Sequence, residues 1–223
     1  MRRKALLLLL CLCFLIPSLS SCKERDRDYV ESEVVAAAEA LIKKSLILNE
    51  IYWGAGIRYE IPEDENEEIG KYRPADPEHI AELSETYGIK DLTTLQNKTR
   101  EVFSQTGYNW IVSTCLTNVT GDTGVVSYAR YYQSKVDATL GSTGDLMVYT
   151  EARNIYENTQ SVEYIYDGMF VSDVEGQVIT VSLKVKTTGK DGTSTTRPFT
   201  VNLIEEEAGW RLHGASYATH IPS

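Results

Sequence analysis

Residues 178–186 read VITVSLKVK. In an extended chain, successive side chains point to opposite faces. Ile179, Val181, Leu183 and Val185 therefore share one side, and Thr180, Ser182, Lys184 and Lys186 share the other. A period of two over so long a run suits no helix. It requires a sheet with one face buried and one face wet. The flanking segments supply the partners. VEYIYDGMFV precedes it and is closed by a turn at DVEG. GKDGTS follows, and its Asp191-Gly192 is a hairpin signal. PFTVNLIEEE then places Phe199, Val201 and Leu203 on one face. EEAG turns the chain again, and WRLHGASYA puts Trp210 and Leu212 on one side. Four strands joined by short turns make an antiparallel meander. Upstream, VVSYARYYQSKV and LMVYTEA are rich in Val and Tyr, as strands are.

The first half of the chain has a different period. Val30, Val34, Ala37, Ala38, Leu41, Ser45, Leu48 and Tyr52 recur at helical spacing, with charged residues on the other faces, and Gly54-Ala55-Gly56 follows. This predicts a long amphipathic helix from about Tyr29 to Tyr52. Asp76-Pro77 reads as an N-cap with proline at N1, starting a helix that Gly88 ends near Tyr87. Asp91 caps another, LTTLQNKTREVFSQT, which Gly107 should end. YNWIVSTCL reads as a further short helix, with its β-branched residues leaving strand open. Helices first and sheet afterwards indicate an α+β fold, with N-terminal helices packed on a curved antiparallel sheet. No internal repeat or Pro- or Ser-rich linker divides residues 29–223, which are expected to form one domain.

The N-terminus predicts an address. Arg2, Arg3 and Lys4 precede an uncharged run from Ala5 to Pro17. That is the order of a secretory signal, and the run is shorter than the ~20 residues needed to span a bilayer. An uncut N-terminal anchor is the competing reading. Leu19-Ser20-Ser21-Cys22 resembles the lipobox of bacterial lipoproteins. The resemblance implies cleavage before Cys22 and lipid on its thiol, with residues 1–21 as signal and 22–28 as a short charged tether. An ordinary signal with an incidental cysteine is the plainer alternative. Loss of residues 1–21 lowers the basic residues from 22 to 19 against 32 acidic ones, so the net charge moves from −10 to −13. Such a domain suits neither nucleic acid nor anionic headgroups; it would accept a basic partner.

Few residues invite catalysis or metal binding. Cys11 and Cys13 leave with the signal and Cys22 carries lipid, so Cys115 alone remains and no intrachain disulfide is expected. In WIVSTCL it reads as a small buried hydrophobe rather than a nucleophile. His79, His213 and His220 have no metal-ligand spacing. The acidic stretch EIPEDENEEIG at 60–70 fails the calcium-loop pattern. Counted from Asp64, Ile69 falls where glycine is needed and Ala75 where glutamate is needed, leaving a solvated loop. No cofactor is expected.

The helical first half, the long meander and the closing EEAGWRLHG resemble the NTF2-like and cystatin-like α+β folds. IKDLTTLQNKTREVFSQ, GDLMVYTEARN leading into VEYIYDGMFV, and the GWRL ending are similar to the IseA family more narrowly, over roughly residues 30–219. That family comprises secreted or surface proteins of Gram-positive bacteria that inhibit cell-wall D,L-endopeptidases. The resemblance implies a non-enzymatic protein that blocks a hydrolase through an exposed loop, and with the lipobox it gives a protein lipid-anchored on the extracytoplasmic face of the membrane. On texture, DATLGSTGD is the candidate loop, with Asp137, Thr139, Leu140, Ser142 and Asp145 as its contact residues. An alternative is a small-ligand binder whose cone is lined by Tyr128, Tyr132, Tyr164, Tyr166, Phe170 and Trp210, rings that could equally fill the cone themselves. A third reading, an enzyme, rests on Asp167 and His213 coming within hydrogen-bond reach.

Overall fold

A computed structural model describes residues 29–62, 70–120, 126–137 and 142–221. Cys22 with its signal and tether, most of the acidic stretch, and Thr139 and Leu140 of the candidate loop lie outside the described residues.

The alternation at 178–186 becomes the centre of a four-stranded antiparallel sheet. Strands β8 (Thr159–Glu175), β9 (Val178–Gly189), β10 (Ser194–Glu206) and β11 (Gly209–Leu212) lie in the order β11-β10-β9-β8. Ile179, Val181, Leu183 and Val185 are all at most 4% exposed, and Thr187 continues their buried row. Opposite them, Val201 pairs with Val181 and Leu203 with both Ile179 and Leu212. One face of the meander is thus apolar from strand to strand. Register shifts along β8, between Ile165 and Phe170 and again near Ser172, bend that edge. Bulges of this kind bend and twist a strand, and Gly168 supplies a positive φ of 76° in the first of them.

Helix α1 (Glu31–Trp53) packs across this face, against β8 and β11. Its buried stripe is Val34, Ala38, Leu41, Ile42, Leu48, Ile51 and Tyr52, the period expected from the sequence, joined by Ser45 and Asn49. Those two polar side chains meet Ser216 from the segment after β11. Ser216 Oγ donates to Ser45 Oγ at 2.8 Å, and Asn49 Nδ2 donates to Ser216 Oγ at 3.1 Å. Tyr164 on β8 fixes the same segment, donating to the Ser216 carbonyl at 2.7 Å and accepting from the Ala218 N–H at 3.1 Å. This explains why WRLHGASYA is not a strand throughout. After His213, whose N–H still donates to the Asn202 carbonyl at 2.7 Å, the backbone leaves the ladder and is held by side chains instead.

Helix α2 (Pro77–Tyr87) begins and ends as the sequence implies. Asp76 accepts from the Glu78 and His79 N–H groups, and Gly88 closes the helix at φ 71°. The next expectation needs correction. Residues 92–106 are not one helix ended by Gly107. α3 (Leu92–Val102) stops at Phe103, which is extended, and α4 (Gln105–Cys115) restarts with Ser104 as its N-cap. Two interactions force the break. The Ser104 N–H donates to the Leu212 carbonyl at 2.8 Å, and the Ser104 hydroxyl accepts from Gly107 N–H. Gly107 sits inside α4, close against Phe103 and the Leu212 carbonyl, each 3.4 Å from where a Cβ would lie. The ambiguous YNWIVSTCL is helix.

A second, smaller sheet has the order β1-β7-β4, from β1 (Tyr72–Pro74), β4 (Tyr131–Gln133) and β7 (Leu146–Tyr149). The short pair β2 (Val119–Thr120) and β3 (Val126–Ser127) precedes β4. The pair β5 (Val136–Asp137) and β6 (Ser142–Thr143) continues the β4–β7 hairpin in the same register, carrying it to residues 137 and 142. The architecture is α+β, with helices covering the apolar face of an antiparallel sheet.

Candidate functional site

The small sheet sorts its tyrosines by the period of a strand. Tyr131 and Tyr132 are consecutive, so they face opposite ways. Tyr131 points inward with Leu146 and Val148 and is fully buried. Tyr132 points outward and is 39% exposed. On the same outer face Tyr72 pairs directly with Tyr149 across the β1–β7 ladder. Tyr128, just before β4, adds a fourth ring. The centroids are 4.8 Å apart for Tyr72–Tyr132 and 5.5 Å for Tyr72–Tyr149, and Tyr128 stacks on Tyr149 at 5.3 Å with 28° between planes. These spacings fall in the range of favourable edge-on and offset ring contacts.

Three of the four hydroxyls are restrained. Tyr72 donates to the Ala129 carbonyl at 2.7 Å, Tyr149 donates to Glu151 at 3.0 Å, and Tyr128 accepts from Lys71 at 2.5 Å. The Lys71 ammonium also lies 4.3 Å from the Tyr128 ring centre, within cation–π range. Desolvation and then the neighbouring phenols raise the Tyr72 pKa above the ordinary value, and desolvation and then the Glu151 carboxylate raise that of Tyr149. The result is a tyrosine face whose rings are fixed before anything binds.

The inner side of the same strand anchors this face to α1. Arg130 is 6% exposed, and no carboxylate pairs with it among the described residues. Its guanidinium instead collects carbonyls at the end of α1: Tyr52 at 2.9 Å and Gly54 at 2.5 Å, with Arg153 at 3.1 Å. The last carbonyls of a helix lack intrahelical donors and carry partial negative charge, so a cation satisfies both. Tyr131 completes the anchor, donating to the Ile51 carbonyl at 2.7 Å and accepting from Ile57 N–H at 3.0 Å. Gly56 is required at this point. Its φ is 82°, and a Cβ would lie 2.5 Å from Arg130 Nη2 and 2.6 Å from the Tyr131 hydroxyl.

The six rings named for a cone do not line one space. Tyr128 and Tyr132 belong to the tyrosine face of the small sheet. Tyr164 is in the main core against Phe199, at 5.7 Å. Tyr166 is half-buried beneath Lys43, Phe170 is 52% exposed in the β8 bulge region, and Trp210 is half-buried on β11. Of the candidate loop, Asp137 ends β5 and Ser142 begins β6, at the far end of the hairpin that carries Tyr132. Asp145 borders an open hollow of about 710 Å³ with Pro74, Lys90, Asp91 and Gln133. Sequence reading missed Tyr72 and Tyr149, the directly paired members. Nothing within YRP or LMVYTE ties either tyrosine to Tyr132; the tie comes from the pairing of β1 and β4 with β7.

Groups that could do chemistry are placed otherwise. His213 takes Ser104 as its partner, Nδ1 to Oγ at 3.2 Å, and Asp167 is exposed on β8. Ser104 is 1% exposed and its oxygen already caps α4, so this Ser–His pair is a capping contact. Cys115 is buried, its thiol pushed up to about 12 by desolvation, far from the thiolate a nucleophile needs. Among the described residues no three His, Cys, Asp or Glu side chains converge as a metal site would require, and no helix is long and apolar enough to cross a membrane. No family model, curated protein or solved structure matches the chain.

Proposed function

We propose that this chain is a lipid-anchored, non-catalytic envelope protein that docks on another envelope protein through the tyrosine face of its small sheet. The observation that carries the reading is the packing of Tyr72, Tyr128, Tyr132 and Tyr149 on one outward face, with three hydroxyls already restrained. Tyrosine offers large contact area for little conformational entropy, and it is enriched at protein interfaces. Rings held in place before contact lose little freedom on binding. The lipobox Leu19–Cys22 supports the address, and the acidic balance of 32 Asp and Glu against 22 Lys and Arg favours a basic partner.

The partner class implied by the family resemblance is a cell-wall D,L-endopeptidase. On this reading the hairpin that carries Tyr132, whose described strands reach Asp137 and Ser142, is the part that approaches the cleft. The test is peptidoglycan hydrolysis by purified D,L-endopeptidase with the protein added. Inhibition that Tyr132→Ala and Tyr149→Ala both relieve supports the reading. Undiminished hydrolysis at saturating protein removes the endopeptidase as the partner.

A further inference from the structure

Apart from the tyrosine face, the molecule has an open groove of about 610 Å³ where α1 meets the end of α2 and α3. Buried Ile89 and Val102 and half-buried Ile47 form its floor. Leu46 and Tyr87 stand along it at 42% and 44% exposure, large apolar side chains left in water. The size falls in the range of small-molecule sites, which are mostly apolar with a few placed polar groups.

Five charged residues border the groove, and four are already engaged. Lys43 pairs with Glu39 at 2.5 Å, and Lys98 with Glu101 at 3.1 Å. The Glu50 carboxylate folds back on the end of α1, accepting from Ala55 N–H at 2.8 Å. Lys44 alone makes no ion pair or hydrogen bond among the described residues. Around the groove Lys43, Lys44 and Lys98 outnumber Glu50 and Glu101, so this patch is locally positive although the chain as a whole is net −10. With the Lys44 ammonium not engaged among the described residues and apolar side chains exposed beside it, the patch suits one kind of occupant. That occupant has an apolar chain and a negative head.

We propose that the groove binds a single-chain anionic amphiphile, its chain laid along Leu46, Ile47 and Tyr87 and its head against Lys44. Both wall residues and Lys44 are exposed, so substitutions there leave the fold intact. The experiment titrates the full chain with dansylaminoundecanoate below its critical micelle concentration, then displaces the probe with laurate or with dodecanol. Saturable binding displaced by laurate is expected. Lys44→Glu should weaken laurate about fivefold, the size of one exposed ion pair, while changing dodecanol less than about twofold. Leu46→Asn and Tyr87→Ser should weaken both ligands. Absence of saturable binding overturns the proposal, as does binding that none of the three substitutions changes. Equal loss of laurate and dodecanol in Lys44→Glu overturns the assignment of the head. Concentration-dependent dimerisation abolished by Leu46→Asn, without laurate binding, would give the groove to a second copy of the chain and also overturn it.

Discussion

Tyr72 and Tyr132 sit on strands separated by β7, yet their rings meet edge-on, 4.8 Å apart at 82°. The contact spans the small sheet and turns separate tyrosines into one face. The two residues differ in what else they do. Tyr72 is half-buried and donates to Ala129, whereas the Tyr132 ring is largely a surface feature. Tyr72→Ala should therefore cost about 2 kcal/mol of stability, from lost burial and a lost hydrogen bond. Tyr132→Ala should cost about 1 kcal/mol or less, the scale of one ring contact. Denaturant unfolding of the two variants measures this difference. Equal losses would mean that Tyr132 is also a structural residue.

Arg130 should be the most sensitive charged position. Arg130→Met keeps the stem but leaves the carbonyls of Tyr52 and Gly54 without their donor in a buried setting. An unsatisfied buried polar group costs about 1–3 kcal/mol, so a loss on the order of 3 kcal/mol is expected. Gly56→Ala should fail at the same joint, since a side chain there is strained at φ 82° and collides with Arg130 and Tyr131. Thermal unfolding of both variants checks the joint. A melting temperature within a degree or two of the parent for Arg130→Met would contradict the anchor.

His79 supplies a pH test. Its Nδ1 accepts from the Arg58 N–H at 2.9 Å, a bond only the deprotonated nitrogen can accept. Desolvation and then the Arg58 charge lower its pKa from the ordinary 6.5. The unfolded chain thus binds the proton more readily than the folded one. Stability from this group is complete above pH 6.5 and is lost as pH falls from 6.5 through the lowered folded value. His79→Asn, whose amide oxygen can accept the same bond, should flatten that part of the stability–pH curve. An unchanged slope between pH 6.5 and 5 would assign the dependence to other groups.

The legible parts of the fold were those set by local chemistry. Period two at 178–186, period 3.6 in α1, and the Asp76-Pro77 and Gly88 signals each act within a few residues, and each produced its element. What escaped depends on contacts between distant segments. Phe103 and Ser104 interrupt a helical pattern because Leu212, over a hundred residues away, takes the Ser104 N–H. The chain after His213 leaves the ladder because Ser45, Asn49 and Tyr164 hold it. The same holds for the site. Composition drew Tyr128 and Tyr132 into a set with Tyr164 and Trp210, but pairing of β1 with β7 decided their true neighbours. Arg130 gave no sequence signal, since its partners are main-chain carbonyls.

Docking through the tyrosine face is tested most directly on cells, with the full chain carrying benzoylphenylalanine in place of Tyr132 or, as a control, in place of exposed Glu85 on α2. Illumination should join the chain to one envelope protein from position 132 and not from position 85, and Tyr149→Ala in the same chain should reduce the product several-fold. Equal crosslinking from both positions, or none from 132 while the protein remains folded and expressed, would contradict the account.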